Sequence, residues 1–148
     1  MRCICSSIVA TLVLAGTSLA GTINVPGDYA TIQAAIDSAS DNDVITISPG
    51  TYQENLVVEG KSLSFVAPDG PEVTILDGGG AGSVLKAVAA DAITLSMTGF
   101  TIQNGTGTDI GDGSSSGGGI VIDGNDLALS NCHVKSNAAR YGGGIYLQ

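Results

Sequence analysis

The stretch Leu127-Ala128-Leu129-Ser130-Asn131-Cys132-His133-Val134 decides the fold, because its pattern occurs three times in the chain. Its first triplet, Leu127-Ala128-Leu129, matches Leu63-Ser64-Phe65 and Ile93-Thr94-Leu95. Alternation of this kind is typical of a strand with one buried face. The triplets start 30 and 34 residues apart. Such spacing indicates internal repeats, and we therefore predict a repetitive β-structure.

Two further strands follow each triplet. The second strands are Val73-Thr74-Ile75, Phe100-Thr101-Ile102 and Cys132-His133-Val134, and the third strands are Ser83-Val84-Leu85, Gly119-Ile120-Val121 and Gly144-Ile145-Tyr146. Earlier, Val44-Ile45-Thr46 and Leu56-Val57-Val58 supply the last two strands of an incomplete repeat. We predict an all-β fold, a right-handed parallel β-helix of about four coils with three short strands per coil. Like residues would then stack, which places Phe65, Leu95 and Leu129 in one inward column.

A short helix precedes the strands. Four apolar residues fall at positions i, i+3, i+4 and i+7 and line one helical face: Ile32, Ala35, Ile36 and Ala39. Thr31 is the predicted N-cap, and the turn cluster Asp41-Asn42-Asp43 ends the helix. We expect this helix to cap the first coil and to cover its unpaired strand edges.

The other end has no such cover in the sequence, which stops in a strand pattern at Ile145-Tyr146-Leu147-Gln148. A soluble solenoid needs a cap at each end. We therefore expect an uncapped C-terminal end, in a chain that is either truncated or capped by another subunit. Self-association through the last coil is one form that such a cap would take.

The first twenty residues have the features of a secretory signal peptide. Arg2 supplies a positive charge, Ile8 to Ala15 is a short apolar run, and Ser18-Leu19-Ala20 fits the small-x-small cleavage rule. We therefore divide the chain into a signal peptide (1–20), a lead-in segment with the capping helix (21–43) and the coils (44–148). The prediction is a secreted or cell-surface protein without a transmembrane segment after cleavage.

The composition bounds the class of protein. The chain has 148 residues, of which 43% are hydrophobic and 13% charged, with 22 Gly and no Trp. This is enough apolar material for one domain and excludes extensive disorder. The net charge is −9, and it becomes −10 once the signal peptide with Arg2 is removed. So acidic a chain disfavours nucleic acid as a partner. Only Cys132 remains after cleavage, which excludes a disulfide framework and favours a small core residue over a reactive thiol.

Two stretches near the N-terminus resemble a known superfamily. They are Asp28-Tyr29-Ala30-Thr31-Ile32-Gln33-Ala34-Ala35-Ile36-Asp37 and Val44-Ile45-Thr46-Ile47-Ser48-Pro49-Gly50-Thr51-Tyr52-Gln53-Glu54-Asn55. Both resemble the cap and first coil of pectin-lyase-like β-helix proteins, and pectin methylesterases open in a similar way. Ser136-Asn137-Ala138 with Gly142-Gly143-Gly144-Ile145-Tyr146 resembles the repeats of polymorphic outer membrane proteins and related bacterial surface β-helices. The resemblance implies a fold but no single activity, because the same coil supports lyases, hydrolases, esterases, epimerases and adhesins.

The catalytic sets that the resemblance would imply are incomplete here. A pectin methylesterase needs paired Asp carboxylates with Gln and Arg, and no matching pair follows the similar opening. A polygalacturonase would need neighbouring Asp residues, a His and an Arg-x-Lys, and the chain has neither an Asp-Asp pair nor an Arg-x-Lys. Alternation with Cys132 and Val134 places His133 and Lys135 on the outer face, as solvated surface residues.

One loop is a candidate for a cation site. Residues 106–116 form a Gly- and Ser-rich insertion, seven residues longer than the equivalent corner at 138–141. Asp109 and Asp112 would supply oxygen ligands, with Ca²⁺ as the cation. A solvated loop with two acids is the alternative. The outward acids Asp77, Asp91, Asp123 and Asp126 are expected to serve solubility and turns.

Two corners recur after the second strands, Asn104-Gly105 and Ser136-Asn137. A sharp corner there favours a left-handed backbone, which Asn and Gly adopt most readily. The asparagines would then form a hydrogen-bonded ladder, or they are unrelated loop residues.

The function we expect is that of a non-catalytic secreted or surface module, adhesin-like or glycan-contacting, with a polysaccharide or cell-surface glycan as its partner. The alternative is the N-terminal cap region of a polysaccharide-active enzyme of the pectin esterase, lyase or hydrolase kind, whose catalytic coils are not in this chain. A third interpretation is a non-functional gene fragment.

Overall fold

The computed structural model describes residues 20–88, 92–111, 113–124 and 126–148, so the predicted signal peptide lies outside it except for Ala20. Within these residues the chain forms one helix, α1 Ile32–Ser38, and short strands. The strands are β1 Thr22–Val25, β2 Val44–Ile47, β3 Gly50–Gln53, β4 Leu56–Glu59, β5 Leu63–Val66, β6 Thr74–Asp77, β7 Leu85–Val88, β8 Thr94–Thr98, β9 Thr101–Gln103, β10 Thr108–Asp109, β11 Ser115–Ser116, β12 Ile120–Asp123, β13 Asp126–Ser130, β14 His133–Lys135 and β15 Ile145–Leu147.

The strands form three parallel sheets. The order is β1-β2-β5-β8-β13 in the first sheet, β3-β6-β9-β14 in the second and β4-β7-β12-β15 in the third. From β2 onward, successive strands enter the first, second and third sheets in turn, and only the antiparallel hairpin β10–β11 interrupts this order. The predicted all-β class, with repeat-like parallel strands and one short helix, is confirmed.

The register of the first sheet differs from the predicted alignment by two residues at β8. Leu63 pairs with Leu95, where the alignment had placed Ile93. The predicted column of Phe65, Leu95 and Leu129 is therefore wrong. The observed columns are Leu63–Leu95–Leu127 and Phe65–Met97–Leu129. A two-residue shift keeps the same face of the strand inward, so the core positions were still identified correctly.

In the second sheet the alignment is wrong by one residue at β6. Thr101 pairs with Ile75, not with Thr74. A one-residue shift moves every side chain to the opposite face. Thr74 and Leu76 are accordingly buried, whereas Val73 is 46% exposed. In the third sheet β7 has the same one-residue shift.

Two strands of the early chain were not predicted. The lead-in segment forms β1, which pairs with β2 in the first sheet. β2 was expected to be a second strand, but Ile45 pairs with Phe65 and places it in the first sheet. β3 occupies the second sheet instead, where Tyr52 pairs with Leu76. The incomplete first repeat of the sequence is therefore a complete set of three strands.

One buried cluster joins the three sheets and the helix. Ile36 of α1, Phe65 of the first sheet, Ile102 of the second and Ile122 of the third belong to it, and each is at most 2% exposed. Full burial of such a side chain contributes about 1.5–3 kcal/mol to folding.

Helix α1 begins as predicted. Thr31 has extended backbone angles, and its hydroxyl accepts a hydrogen bond from the Ala34 amide at 3.2 Å. The apolar stripe is buried, and α1 contacts β1, β2 and β4. The predicted short helix is confirmed, and it lies against the edge strands β1 and β4.

Two charged residues that flank β4 hold the ends of α1. The Glu54 carboxylate accepts hydrogen bonds from the Ile32 and Gln33 amides at 3.0 and 2.9 Å. Lys61 Nζ donates to the carbonyl oxygens of Ile36 and Ala39, each at 2.9 Å. An anion at the N-terminus and a cation at the C-terminus each complement the helix dipole. A helix of seven residues is marginal in isolation, so this clamp and the buried stripe are what maintain it.

The side chain of Gln33 covers the edge of the third sheet. Its amide nitrogen donates to the Val57 carbonyl at 3.1 Å, and its amide oxygen accepts from the Val57 amide at 2.8 Å. β4 is the edge strand there. The glutamine thus replaces the backbone groups of an absent neighbouring strand, which blocks edge-to-edge pairing.

Asp43 joins the start of β1 to the segment after α1. Its carboxylate accepts hydrogen bonds from the Gly21 amide at 2.6 Å and the Ser40 amide at 2.8 Å. These two amides, aided by the charge of Lys61, hold the pKa of Asp43 below its usual value.

The recurring corners have the predicted left-handed backbone. Asn104 and Ser136 have φ of 59° and 55°, and the Asn104 amide donates to the Ser136 carbonyl at 3.2 Å. Within the described residues, Asn137 bonds no other asparagine. Its side chain accepts from the Gly105 amide at 2.8 Å and donates to the Ile102 carbonyl at 2.9 Å. The asparagine therefore joins neighbouring corners through their backbones.

At the end opposite α1, the edge strands are β13, β14 and β15. Ile145 and Leu147 of β15 are 36% and 60% exposed, and Leu127, Leu129 and Val134 are only partly buried. Within the described residues this end thus presents apolar side chains beside unpaired strand edges.

Candidate functional site

Hydrogen-bonding side chains form a row on the outer face of the second sheet. Gln53 pairs with Asp77, Asp77 with Gln103, and Gln103 with Lys135. Each is the last residue of its strand, and all four are at least partly exposed. We call these four residues, with the adjacent Asn104, the polar row.

Asp77 lies in the middle of the polar row, and both of its carboxylate oxygens are engaged. Oδ1 accepts a hydrogen bond from the Gly79 amide at 2.9 Å. Oδ2 accepts from Gln103 Nε2 at 3.0 Å and from Asn104 Nδ2 at 2.7 Å. The Gly79 amide and then the Gln103 amide hold the pKa of Asp77 below its usual value, because they stabilise the ionised form.

The carboxylate fixes the orientation of two amide groups. Gln103 and Asn104 both turn their NH₂ groups toward Asp77, since a carboxylate only accepts hydrogen bonds. Neither amide oxygen has a partner among the described residues. Asn104 reaches Asp77 because its left-handed backbone turns the chain immediately after β9. The arrangement therefore leaves two acceptor oxygens, on consecutive residues, available at the surface.

Charges of both signs flank the polar row. His133 lies at the surface as predicted, and its Nδ1 is 3.6 Å from Glu72 Oε1. Lys135 stands in the row itself, beside Gln103. This face therefore carries charges of both signs, although the net charge of the chain is strongly negative.

The outer face of the first sheet has a different character. Two of its columns consist of small or β-branched uncharged residues, and the Ser96 hydroxyl donates to the Ser64 hydroxyl at 2.9 Å; the shorter pair Thr94 and Asp126 lies beside them on the same face. The columns are Thr22, Val44, Ser64, Ser96, Ala128 and Asn24, Thr46, Val66, Thr98, Ser130. Catalysis by general acids and bases needs ionisable groups, which these ten positions lack.

A groove of about 360 Å³ lies beside α1 and β4. Its lining residues are Gln33, Ile36, Asp37, Val57, Glu59 and Lys61. Gln33 and Lys61 already bond the backbone of β4 and the end of α1. Two of the polar residues of this groove therefore hold helix α1 against β4.

The predicted cation loop contains the hairpin β10–β11. Asp109 Oδ1 accepts hydrogen bonds from the Gly111 and Gly113 amides at 2.8 and 3.0 Å, which closes the loop locally. Asp112 lies outside the described residues. Among the residues that the structure does describe, no three His, Cys, Asp or Glu side chains are grouped so that they could hold a metal ion. The calcium site at Asp109 and Asp112 stays a prediction.

Cys132 is partly buried and packs against the core cluster. Its Sγ lies 3.3 Å from the Ser130 carbonyl and 3.5 Å from the Met97 carbonyl. This placement agrees with the predicted small core residue.

From the sequence, Asp77 is expected to serve solubility and turns, with no connection to Gln103. The available signal was positional, since Gln53, Asp77, Gln103 and Lys135 each end a strand of the second sheet. The one-residue error at β6 removed Asp77 from that column.

No helix among the described residues has the length and apolar character needed to cross a membrane. Comparisons of the chain with protein-family models, with curated proteins and with solved structures found no match.

Proposed function

We propose that the chain is a right-handed parallel β-helix with three short strands per coil. The regular entry of successive strands into three sheets supports this architecture. The spacing supports it as well, because the stacked residues Leu63, Leu95 and Leu127 are 32 positions apart at each step. A right-handed path is the rule for parallel strands joined by crossover connections.

We further propose that the protein is exported and acts as a non-catalytic, adhesin-like module that contacts glycans through the polar row. The observation that carries this proposal is the row itself. Four neighbouring strands place hydrogen-bonding groups at one position, in steps of about 4.8 Å, so the row spans about 14 Å. A rigid, regularly spaced series of amide, carboxylate and ammonium groups suits a ligand that is extended and rich in hydroxyl groups.

Affinity electrophoresis of the purified protein in gels with soluble polysaccharides tests the proposal. The test variant combines Gln53→Ala, Gln103→Ala and Lys135→Ala, which leaves the core untouched. The matched control combines Thr46→Ala and Thr98→Ala on the outer face of the first sheet. We expect at least one polysaccharide to retard the protein, with retardation weakened about tenfold in the triple variant, a loss of about 1.4 kcal/mol. Equal losses in both variants, or no retardation by any polysaccharide, would reject the proposal.

The second candidate is the cap region of a polysaccharide-active enzyme. The observation that favours it is the clamped helix α1, which coincides with the stretch that resembles pectin methylesterases. Because this candidate places the catalytic coils outside this chain, it predicts that only a protein which also includes those coils releases methanol or new reducing ends from methylated pectin. The adhesin-like function predicts binding with no such release.

The apolar end formed by β13, β14 and β15 is the surface through which we propose that copies of the chain associate. Unpaired parallel edges beside exposed Ile145 and Leu147 favour strand pairing between molecules. Sedimentation velocity checks this, and Leu147→Glu is expected to lower any dimer fraction. A monomer at all concentrations would contradict it.

A calcium titration addresses the Asp109 and Asp112 loop. Binding to the folded state alone raises the melting temperature as ligand is added. The hypothesis predicts a rise with CaCl₂ that Asp109→Asn abolishes. An unchanged melting temperature rejects the site.

A further inference from the structure

We propose that Asp77 is a positioning residue, which holds the amides of Gln103 and Asn104 so that their oxygens accept hydrogen bonds from neighbouring hydroxyls of an uncharged sugar chain. This inference rests on the proposed glycan-contacting function and deepens it. It names both the ligand class and the groups that make the contact.

The geometry gives Asp77 an indirect role. Its Oδ1 is held by the Gly79 amide and its Oδ2 by two side-chain amides, at 3.0 and 2.7 Å. With both oxygens engaged, the carboxylate has little remaining capacity for a ligand. The outward groups are the oxygens of Gln103 and Asn104, because flipping either amide would aim an oxygen at the carboxylate.

The charges beside the acceptor pair select the ligand. An anionic sugar would bring its carboxylate against Asp77 and two partially negative oxygens, which is unfavourable. A cationic group would be attracted by Asp77 but repelled by Lys135, which pairs with Gln103 on the neighbouring strand. The donors that remain are uncharged, and hydroxyl groups are the common ones in glycans.

The two amides also determine how the donors are arranged. Gln103 and Asn104 are consecutive residues that bond the same oxygen of Asp77, so their amide groups lie side by side. A pair of hydroxyls on adjacent carbon atoms matches two acceptors in this arrangement. A single isolated hydroxyl would satisfy only one of them.

The experiment measures binding to two probes, galactomannan, which is uncharged, and polygalacturonate, which is anionic, by affinity electrophoresis. The variants are Asp77→Ala, Asp77→Asn and Gln103→Leu. The control is Asp69→Asn, an exposed acid in the loop before β6. Circular dichroism and the melting temperature establish that each variant is folded.

We expect galactomannan to retard the wild-type protein more than polygalacturonate does. Gln103→Leu and Asp77→Ala should weaken this binding about tenfold or more, which corresponds to one or two hydrogen bonds. Asp77→Asn should weaken binding less than Asp77→Ala does. The new asparagine keeps one acceptor oxygen, but its NH₂ group cannot accept a hydrogen bond, so it orients fewer of the neighbouring amides. Asp69→Asn should bind like the wild type.

A pH profile separates positioning from a purely structural role. The pKa of Asp77 lies below its usual value, so galactomannan binding should persist into the acid range. It should then fall as the pH drops through that pKa, because a protonated carboxyl accepts fewer hydrogen bonds. Asp77→Asn should show no such fall. A purely structural role would alter stability without giving the two proteins different pH profiles of binding.

The outcomes distinguish this inference from the proposed function. Binding of neither probe and of no other glycan would overturn the proposed function. If the Asp77→Ala variant binds galactomannan as tightly as the Asp69→Asn variant, only the positioning role would be overturned. Preference for polygalacturonate would overturn the ligand class while leaving the glycan-contacting function in place.

Discussion

At the scale of single residues, two buried threonines of the second sheet have contrasting hydroxyls. Thr101 is 2% exposed, and its Oγ1 donates to the Pro71 carbonyl at 2.8 Å. Thr74 is fully buried, and its Oγ1 has no partner in the described part of the chain. A buried polar group without a hydrogen bond costs about 1–3 kcal/mol.

Thr74→Val should therefore stabilise the protein, because valine has the same shape without the unpaired hydroxyl. We expect the free energy of unfolding to rise by about 1 kcal/mol, as measured by urea denaturation. Thr101→Val is the matched control and should lower it by about 1 kcal/mol, since the Pro71 carbonyl loses its donor. Similar destabilisation by both variants would show that the Thr74 hydroxyl is satisfied in solution.

Asp43 gives a pH prediction. Its pKa is lowered in the folded state by the Gly21 and Ser40 amides, so its contribution is present above its unfolded pKa and is lost as the pH falls through the folded value. Asp43→Asn should lower the melting temperature at pH 7. The difference from the wild type should shrink at acid pH below the ordinary aspartate value of 3.8. A constant difference across a pH series from 7 to about 2 would contradict the assignment.

These residue-level features could not be predicted from the sequence. In Val73-Thr74-Ile75-Leu76 the apolar residues occupy both strand faces, so alternation does not determine which face is inward. Thr74 was thus aligned with Thr101, and Asp77 was separated from Gln103. Only the hydrogen-bonded register distinguishes the two arrangements.

At the scale of elements, the contact between α1 and β4 depends on a side-chain amide. Gln33→Glu would keep the acceptor for the Val57 amide but remove the donor to the Val57 carbonyl. It would also place a negative charge four residues before Asp37, a repulsive pairing on a helix. We expect the free energy of unfolding to fall by about 1–2 kcal/mol in urea denaturation.

The control for this prediction is Gln53→Thr, on an exposed glutamine of β3 whose side chain forms no hydrogen bond among the described residues. It should change the free energy of unfolding by less than about 0.5 kcal/mol. If the two substitutions lower the free energy of unfolding equally, the hydrogen bonds of Gln33 to the edge strand β4 do not stabilise the protein.

The elements themselves were predictable to different degrees. α1 followed from local signals, because a cap residue and a stripe of apolar residues suffice for a short helix. β3 did not, because Gly50-Thr51-Tyr52-Gln53 contains little apolar alternation, and the strand exists through its pairing with β6. At β8 the residues Ile93, Leu95 and Met97 alternate so regularly that two registers satisfy the same inward face.

At the scale of the whole molecule, the position of a strand in its sheet should govern its stability. β5, β6 and β7 have neighbours on both sides, whereas β13, β14 and β15 each pair on one side within the described residues. In stacked architectures each unit is stabilised by its neighbours. The amides of β13–β15 should therefore exchange with deuterium at least about tenfold faster than those of β5–β7.

Hydrogen–deuterium exchange with mass spectrometry checks this at a protein concentration where the chain is monomeric. Uniform protection along the chain would indicate one cooperative unit and contradict the expected gradient.

The overall plan of parallel strands entering three sheets was predictable, because it depends on the repeat of the pattern and tolerates small errors of register. The positions of individual side chains on the surface could not be predicted, because they depend on the exact register of each strand pair.

The helix clamp has a consequence for insertions and deletions in the sequence. Glu54 and Lys61 stand seven positions apart on either side of β4, and each must reach one end of the same helix. An insertion or deletion of one residue in Leu56–Glu59 would move either Glu54 or Lys61 away from its end of the helix. It would also turn the inward side chains of part of β4 to the outer face. The corner between β9 and β12, by contrast, already accommodates a complete hairpin. Length variation in this chain is therefore best tolerated at that corner and least tolerated beside the helix.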